Sequence, residues 1–167
     1  MLMNLLAPDF SLPDTTGHIH HLADYLGQLV VVNFWSAECP WSERADAHLL
    51  AIAASPGEQI VVLPIASNLN ETAGVIDQAR QRRGMDFVLQ DLNCRVADVY
   101  AAQTTPHAFV IDRSGVLRYQ GAVDDVTFRK RSPERFYVEE ALSALMQGRL
   151  PAVPETAAYG CTIVRNI

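Results

Sequence analysis

LVVVNFWSAECPWSER, residues 29–44, decides how the rest of this chain is read. It begins with an apolar run in which Val30, Val31 and Val32 are β-branched and Phe34 and Trp35 are aromatic. Such a run suits a strand buried on both faces, in a parallel or mixed sheet between helices. It ends at Cys39-Pro40, after which Ala45, Leu49 and Ile52 recur at helical spacing. Proline is favoured in a first helical turn, where its missing N–H costs little. Cys39 is therefore expected at a strand-to-helix junction, by the positive end of a helix, where a thiolate is favoured and the thiol pKa falls.

Outward from this segment, the chain alternates apolar strands with helical patterns. Residues 5–12 and His18 to Leu22 flank the turn formers Asp14 to Gly17 and predict an N-terminal hairpin. One helical turn is expected over 22–26, a strand over 29–35 and a helix from Pro40 to about Ala54. The run at 60–66 contains Pro64, which denies one ladder bond and so belongs near a strand end, bulge or edge. Thr72 is placed to cap a helix to about Arg83, with Gly84 behind it. A short strand is expected at 87–89, a short helix at 93–100, a hairpin from strands 107–111 and 116–119, and a closing helix at 134–146. Pro151 and Pro154 stiffen the C-terminal segment beyond that helix. This order predicts a three-layer α/β domain over residues 1–150 and a proline-containing tail, 151–167, bearing Cys161.

The 167 residues are 49% hydrophobic, enough for one full core. A net charge of -6 and short basic clusters only, Arg80-Arg82-Arg83 and Arg129-Lys130-Arg131, argue against nucleic acid as a partner; both clusters are expected to face solvent. No run approaches the ~20 apolar residues of a membrane span. The N-terminus lacks a basic region ahead of an apolar one, which leads to the expectation of a cytoplasmic protein. Three separated cysteines, Cys39, Cys94 and Cys161, do not make a secreted disulfide scaffold.

Four segments carry a resemblance. NFWSAECPWS at 33–42 resembles the active-site segment of thioredoxin-like proteins, and Thr105-Pro106 matches their Thr-Pro dipeptide, whose proline is cis. FVIDRSGVLRYQGAVDD at 109–125 is similar to the terminal hairpin of the redoxin branch, with its TlpA-like, ResA-like and AhpC/TSA-type domains. AAYGCTI at 157–163 resembles redoxin-domain proteins with a near-terminal Gly-Cys. The resemblance implies a thioredoxin-like sandwich with a central mixed sheet and a cis-Pro loop, acting in thiol–disulfide exchange through Cys39. Thr105 and Pro106 would present backbone to the partner, with Trp35 and Trp41 framing the site and Trp41 the more exposed. It implies no organic cofactor and no metal. The partners would be protein or low-molecular-weight thiols and disulfides.

The chain departs from the dithiol pattern. Ser42 stands where a second cysteine would resolve the mixed disulfide; it is expected either to donate a hydrogen bond to the Cys39 thiolate or to be simply a polar residue of the first helical turn. Asn33 replaces a buried acid, and Glu38 beside Cys39 would oppose its ionisation. Cys161, Cys94 and an external thiol all stay open as resolvers. Peroxide reduction is an alternative. However, the Pro-x-x-x-Thr-x-x-Cys spacing of peroxiredoxins finds Val32 and Ser36 in its proline and threonine slots. A binding domain that captures partners without turnover is a further alternative. A metal-carrier reading lacks a second cysteine in the loop, and His20, His21, His48 and His107 have no ligand spacing to it. His107 is expected to satisfy local hydrogen bonds.

Overall fold

The computed structural model describes residues 2–57 and 59–166, so the outermost residues of the expected domain and tail lie outside the described residues. The strands are β1 (Ser11–Pro13), β2 (Ile19–His21), β3 (Leu29–Trp35), β4 (Ile60–Ala66), β5 (Leu89–Gln90), β6 (Thr104–Thr105), β7 (His107–Ile111), β8 (Leu117–Gly121) and β9 (Cys161–Thr162). The helices are α1 (Pro40–Ala53), α2 (Ala73–Arg82), α3 (Arg95–Val99) and α4 (Tyr137–Met146). A 3-10 turn, Leu22–Tyr25, comes after β2.

β3 is the centre of a five-stranded sheet of order β5-β4-β3-β7-β8. It runs parallel to β4 and antiparallel to β7, which makes the sheet mixed. All seven of its residues are buried, and they divide by the pleat. Val30, Val32 and Phe34 pack on one face with Phe10, Leu12, Tyr100 and Val96 of α3. Leu29 and Val31 pack on the other with Ala45, Leu49 and Ile52 of α1 and Val138, Ala141 and Leu142 of α4. Trp35 closes a third cluster with Ile76 and Ala79 of α2. This is the expected thioredoxin-like three-layer sandwich, and the N-terminal hairpin is present as β1 paired to β2.

Pro64 lies within β4, opposite Asn33 of β3. It is tolerated because β5 pairs only with Ile65 and Ala66, so β4 is a sheet edge on that side up to Pro64. Thr72 caps α2 by accepting from Val75 N–H, and Gly84 stands behind it with a φ of +70°, the left-handed conformation glycine adopts most readily. Several boundaries move. β5 sits at 89–90 rather than 87–89, α4 begins at Tyr137 rather than 134, and β8 ends at Gly121 rather than 119. The β8 shift accompanies an irregular register at Val110/Ile111, a feature with no sequence signature in a five-residue strand.

The basic cluster at 80–83 is not all solvent-facing. Arg82 is exposed, but the Arg83 side chain is only 4% exposed and ion-paired to Asp46 of α1. The segment after Pro151 lies along the domain. Thr156 N–H donates to Gln120 O, Ile163 N–H donates to Gln103 O, and Ile163 is buried. It ends in a two-residue ladder, β6 against β9, which pairs Thr105 with Cys161.

Candidate active site

Cys39 is the N-cap of α1, with extended backbone (φ −89°, ψ 118°) and Pro40 in the first turn behind it. The sulfur therefore stands where the first N–H groups of the helix are unsatisfied. Cys39 is 2% exposed. Its Sγ lies 3.1 Å from Thr105 O and 2.7 Å from Cys161 Sγ. An S–S bond is about 2.05 Å long, so only a small movement is needed for the pair to bond once an oxidant takes its two electrons.

The approach is set by the tail. The Thr105-Pro106 peptide is cis, and the backbone of Thr105 is paired with Cys161. Gly160 makes this pairing possible, because a Cβ there would overlap Thr105 O. The Gly-Cys order thus has a steric basis: the glycine passes under a carbonyl, and the cysteine arrives at the sulfur.

The two sulfurs are inequivalent. Burial opposes a Cys39 thiolate. Hydrogen bonding with Cys161 and Thr105 and from the backbone N–H groups of Ser42 and Cys161 outweighs it and holds the Cys39 pKa below that of an ordinary thiol. Cys161 moves the other way. Burial, its hydrogen bond to Cys39 and the charges of Cys39 and Glu71 push it up to about 12. The two shifts favour Cys39 over Cys161 as the thiolate of the pair.

Ser42 is fully buried and reaches the sulfur through its backbone N–H. Its hydroxyl, which on one of the two readings donates to Cys39, accepts from Ser36 N–H. Glu38, expected to oppose the thiolate, has an exposed side chain, so water and salt screen its charge. Its backbone N–H donates to Ser36 Oγ and Glu71 Oε1. Glu71, in the loop between β4 and α2, is the buried carboxylate of the site. It accepts a short hydrogen bond from Ser36 Oγ. In sequence it reads only as an acid beside a helix cap, so nothing local marked it.

On the opposite side of Ser36 sits a scaffold. Arg83 donates to Ser36 O, Ala37 O and Asp46 Oδ2, and its guanidinium lies 4.9 Å from the Trp35 ring centre. Trp35 Nε1–H donates to the same Asp46 oxygen. Trp35 is wholly buried, whereas Trp41 is half-buried and meets Tyr159 edge to face at 5.1 Å. His107 accepts from Gln103 N–H through Nδ1, and burial lowers its pKa to about 4. Cys94 packs in the core with its Sγ 2.9 Å from Ser67 O, and burial pushes its pKa up.

A small cleft of about 150 Å³ brings Ser36, Glu38, Cys39, Glu71 and Cys161 together. The larger clefts include two of about 430 and 390 Å³, against α4 and against α3, and neither is lined by Cys39 or Cys161. Among the described residues no cluster of three or more His, Cys, Asp or Glu could hold a metal ion. No helix there is long and apolar enough to cross a membrane.

The model of the AhpC/TSA family matches residues 3–120, most of the chain. The chain belongs to the AhpC/TSA family. Within this redoxin group it is 32% identical over 113 residues to the thiol-disulfide oxidoreductase ResA of Geobacillus kaustophilus. That match covers 67% of this chain and 64% of ResA, somewhat under two thirds of the relative's length. Two solved structures are similar along nearly the whole redoxin chain. A hypothetical protein from Sinorhizobium meliloti 1021 has a TM-score of 0.83 at 28% identity, with 98% of this chain and 94% of that one covered. An uncharacterized conserved protein from Geobacillus kaustophilus has a TM-score of 0.85 at 26% identity, with 98% and 93% covered. The family model ends at residue 120, so the tail that brings Cys161 to Cys39 lies beyond it.

Proposed function

We propose that this redoxin is a thiol–disulfide oxidoreductase in which Cys39 attacks and Cys161 resolves. The observation that carries the reading is the 2.7 Å approach of two sulfurs whose pKa values are driven apart. A low-pKa thiolate is the attacking group of exchange chemistry, and a second thiol must release the partner. The ResA relative is named for the same class of reaction.

The reaction runs in two displacements. The Cys39 thiolate attacks one sulfur of a disulfide R–S–S–R′; the S–S bond breaks and R′S⁻ leaves. Cys161 then attacks Cys39 Sγ, the mixed disulfide breaks, RS⁻ leaves, and a Cys39–Cys161 disulfide remains. The substrate gains two electrons, and an external thiol or dithiol restores the pair. The N–H groups of Ser42 and Cys161 hold the first thiolate. Cys39 is nearly inaccessible while β9 lies on Thr105, so the outside disulfide enters when the tail lifts. The ladder is only two residues long, and its flank, with Ile163 buried and Val164 bonded to Leu69 and Asn68, sets the free energy of that opening. The Trp41–Tyr159 pair stands beside the opening as a contact surface for the partner.

The test is intact mass and peptide mapping after mild oxidation, with free thiols blocked in acid. A Cys39–Cys161 linkage that a thiol reductant reverses, and that Cys161→Ser lacks, is the expected result. Cys161 recovered free, with Cys39 holding an external adduct, would remove Cys161 from the mechanism. An unmodified Cys39 would leave a fold without exchange chemistry.

A further inference from the structure

Resolution needs a proton to leave Cys161. A thiol is a poor nucleophile until its proton departs, and burial and the charge of Glu71 favour the protonated form of Cys161. Five carboxylates among the described residues are buried: Asp14, Asp46, Glu71, Asp91 and Asp124. Four are committed to the fold. Asp14 accepts from Thr16 and His18 and pairs with His20. Asp46 is held by Trp35 and Arg83. Asp91 accepts from Ser67 and from N–H groups at the start of α3. Asp124 takes both arms of Arg44.

Glu71 alone among them has a buried oxygen, Oε2, with no hydrogen-bond partner. The residue is 8% exposed and lines the cleft that holds both sulfurs. Its other oxygen is anchored by Ser36 Oγ and Glu38 N–H, which fixes the carboxylate while leaving one side free. A buried carboxylate oxygen without a donor is costly, and such exceptions mark sites of strain or chemistry. The titratable groups facing this cleft are Glu38, Cys39, Glu71 and Cys161; Glu38 is exposed and screened.

We propose that Glu71 is the proton acceptor for the Cys161 thiol in the resolving step. The inference rests on the Cys39–Cys161 reading. As Cys161 Sγ bonds to Cys39 Sγ, the Cys161 proton passes to Glu71 Oε2, the bond from Cys39 to the partner sulfur breaks, and RS⁻ departs. The protonated Glu71 then gives its proton to that thiolate or to water in the cleft. No electron passes through Glu71, and it ends each cycle unchanged.

Stopped-flow mixing of the reduced protein with 5,5′-dithiobis(2-nitrobenzoate) separates the steps. The first nitrothiobenzoate is released by Cys39 attack, and the second by Cys161 resolution. Glu71→Gln is expected to leave the first phase unchanged and slow the second about 10²-fold at pH 7, the lower end of general-base contributions. Its second phase then rises with pH from 7 to 9, as the free Cys161 thiolate fraction does, while the native protein gives a flatter profile. A purely structural role would not change that slope. A second phase of native rate and slope in Glu71→Gln overturns the assignment of Glu71 alone. A native protein that releases only one equivalent, like Cys161→Ser, overturns the resolving reading and this inference with it. Loss of both phases in Glu71→Gln means the residue serves the structure, and also overturns the assignment.

Discussion

Two polar clusters meet at Ser36 and do opposite things with similar groups. On one side Arg83 takes the Ser36 carbonyl, and on the other Glu71 takes the Ser36 hydroxyl. The Arg83 cluster is densely committed. Two guanidinium nitrogens serve three oxygens, Asp46 is shared with Trp35, and the ion pair is 4% exposed on each side. The Glu71 side keeps an unpartnered oxygen, an open cleft and two free thiols. The difference teaches where rigidity ends and chemistry starts. Arg83, apart from one unpartnered Nε, spends its guanidinium on positioning the cysteine loop, whereas a carboxylate oxygen left unpartnered beside two thiols can accept a proton.

Variants can break or sharpen that contrast. The largest effect is expected on the chemical side. Cys161→Ser should leave Cys39 trapped as a mixed disulfide, with turnover reduced to the rate at which external thiol displaces the partner; intact mass of quenched reactions reads the trapped species. The urea midpoint should barely move, because Cys161 is only partly buried. On the scaffold side Arg83→Met is expected to cost about 3–5 kcal/mol, the penalty for leaving a buried partner charge uncompensated. Asp46→Asn in the same chain should recover part of it. Equal stability losses in Cys161→Ser and Arg83→Met would erase the distinction between the two sides.

Gly160→Ala tests the hinge between them. The added methyl overlaps Thr105 O, so β9 must shift. The yield of Cys39–Cys161 linkage should fall, and Cys39 should alkylate faster with iodoacetamide. The gain is roughly tenfold for each 1.4 kcal/mol of lost docking.

A smaller effect belongs to His107. Its folded pKa of about 4 lies below the ordinary 6.5 because burial disfavours the charged ring. The unfolded chain binds a proton that the folded chain refuses, so stability rises with pH from about 4 to 6.5. The contribution is full above 6.5 and lost as pH falls through 4. Its amplitude is at most about 3 kcal/mol at 1.36 kcal/mol per pH unit. His107→Gln should flatten the urea midpoint across that window, and an unchanged slope would assign the acid sensitivity to other groups.

Much of the architecture was legible because it is written in local pattern. The Leu29–Trp35 run, Pro40 behind Cys39, the Thr72 cap and the Asp112–Gly115 turn each carry their own propensity. Their elements appear within a few residues of expectation. The site was legible in part. Cys39 sits at the junction as read, Pro106 is cis, and Trp41 is more exposed than Trp35. Of the two readings of Ser42, the structure shows its hydroxyl accepting from Ser36 N–H while its backbone N–H serves the sulfur, because the first turn of a helix aims N–H groups at the N-cap. Arg83 looked like surface charge, since nothing near it in sequence shows the carbonyls and carboxylate it reaches.

The sequence by itself determined the α/β class, the central strand and the placement of Cys39 at a strand-to-helix junction. These come from apolar periodicity and from the backbone limits of proline, which act over a few residues; the cis proline opposite Cys39 was implied by the resemblance to thioredoxin-like proteins. Only the tertiary structure decided which thiol approaches Cys39, which carboxylate lies in the same cleft and which cation holds the loop. Cys161 is 122 positions from Cys39 along the chain. A two-residue strand has no periodicity to announce its partner, and a buried carboxylate differs from a solvated one only in what folding packs around it.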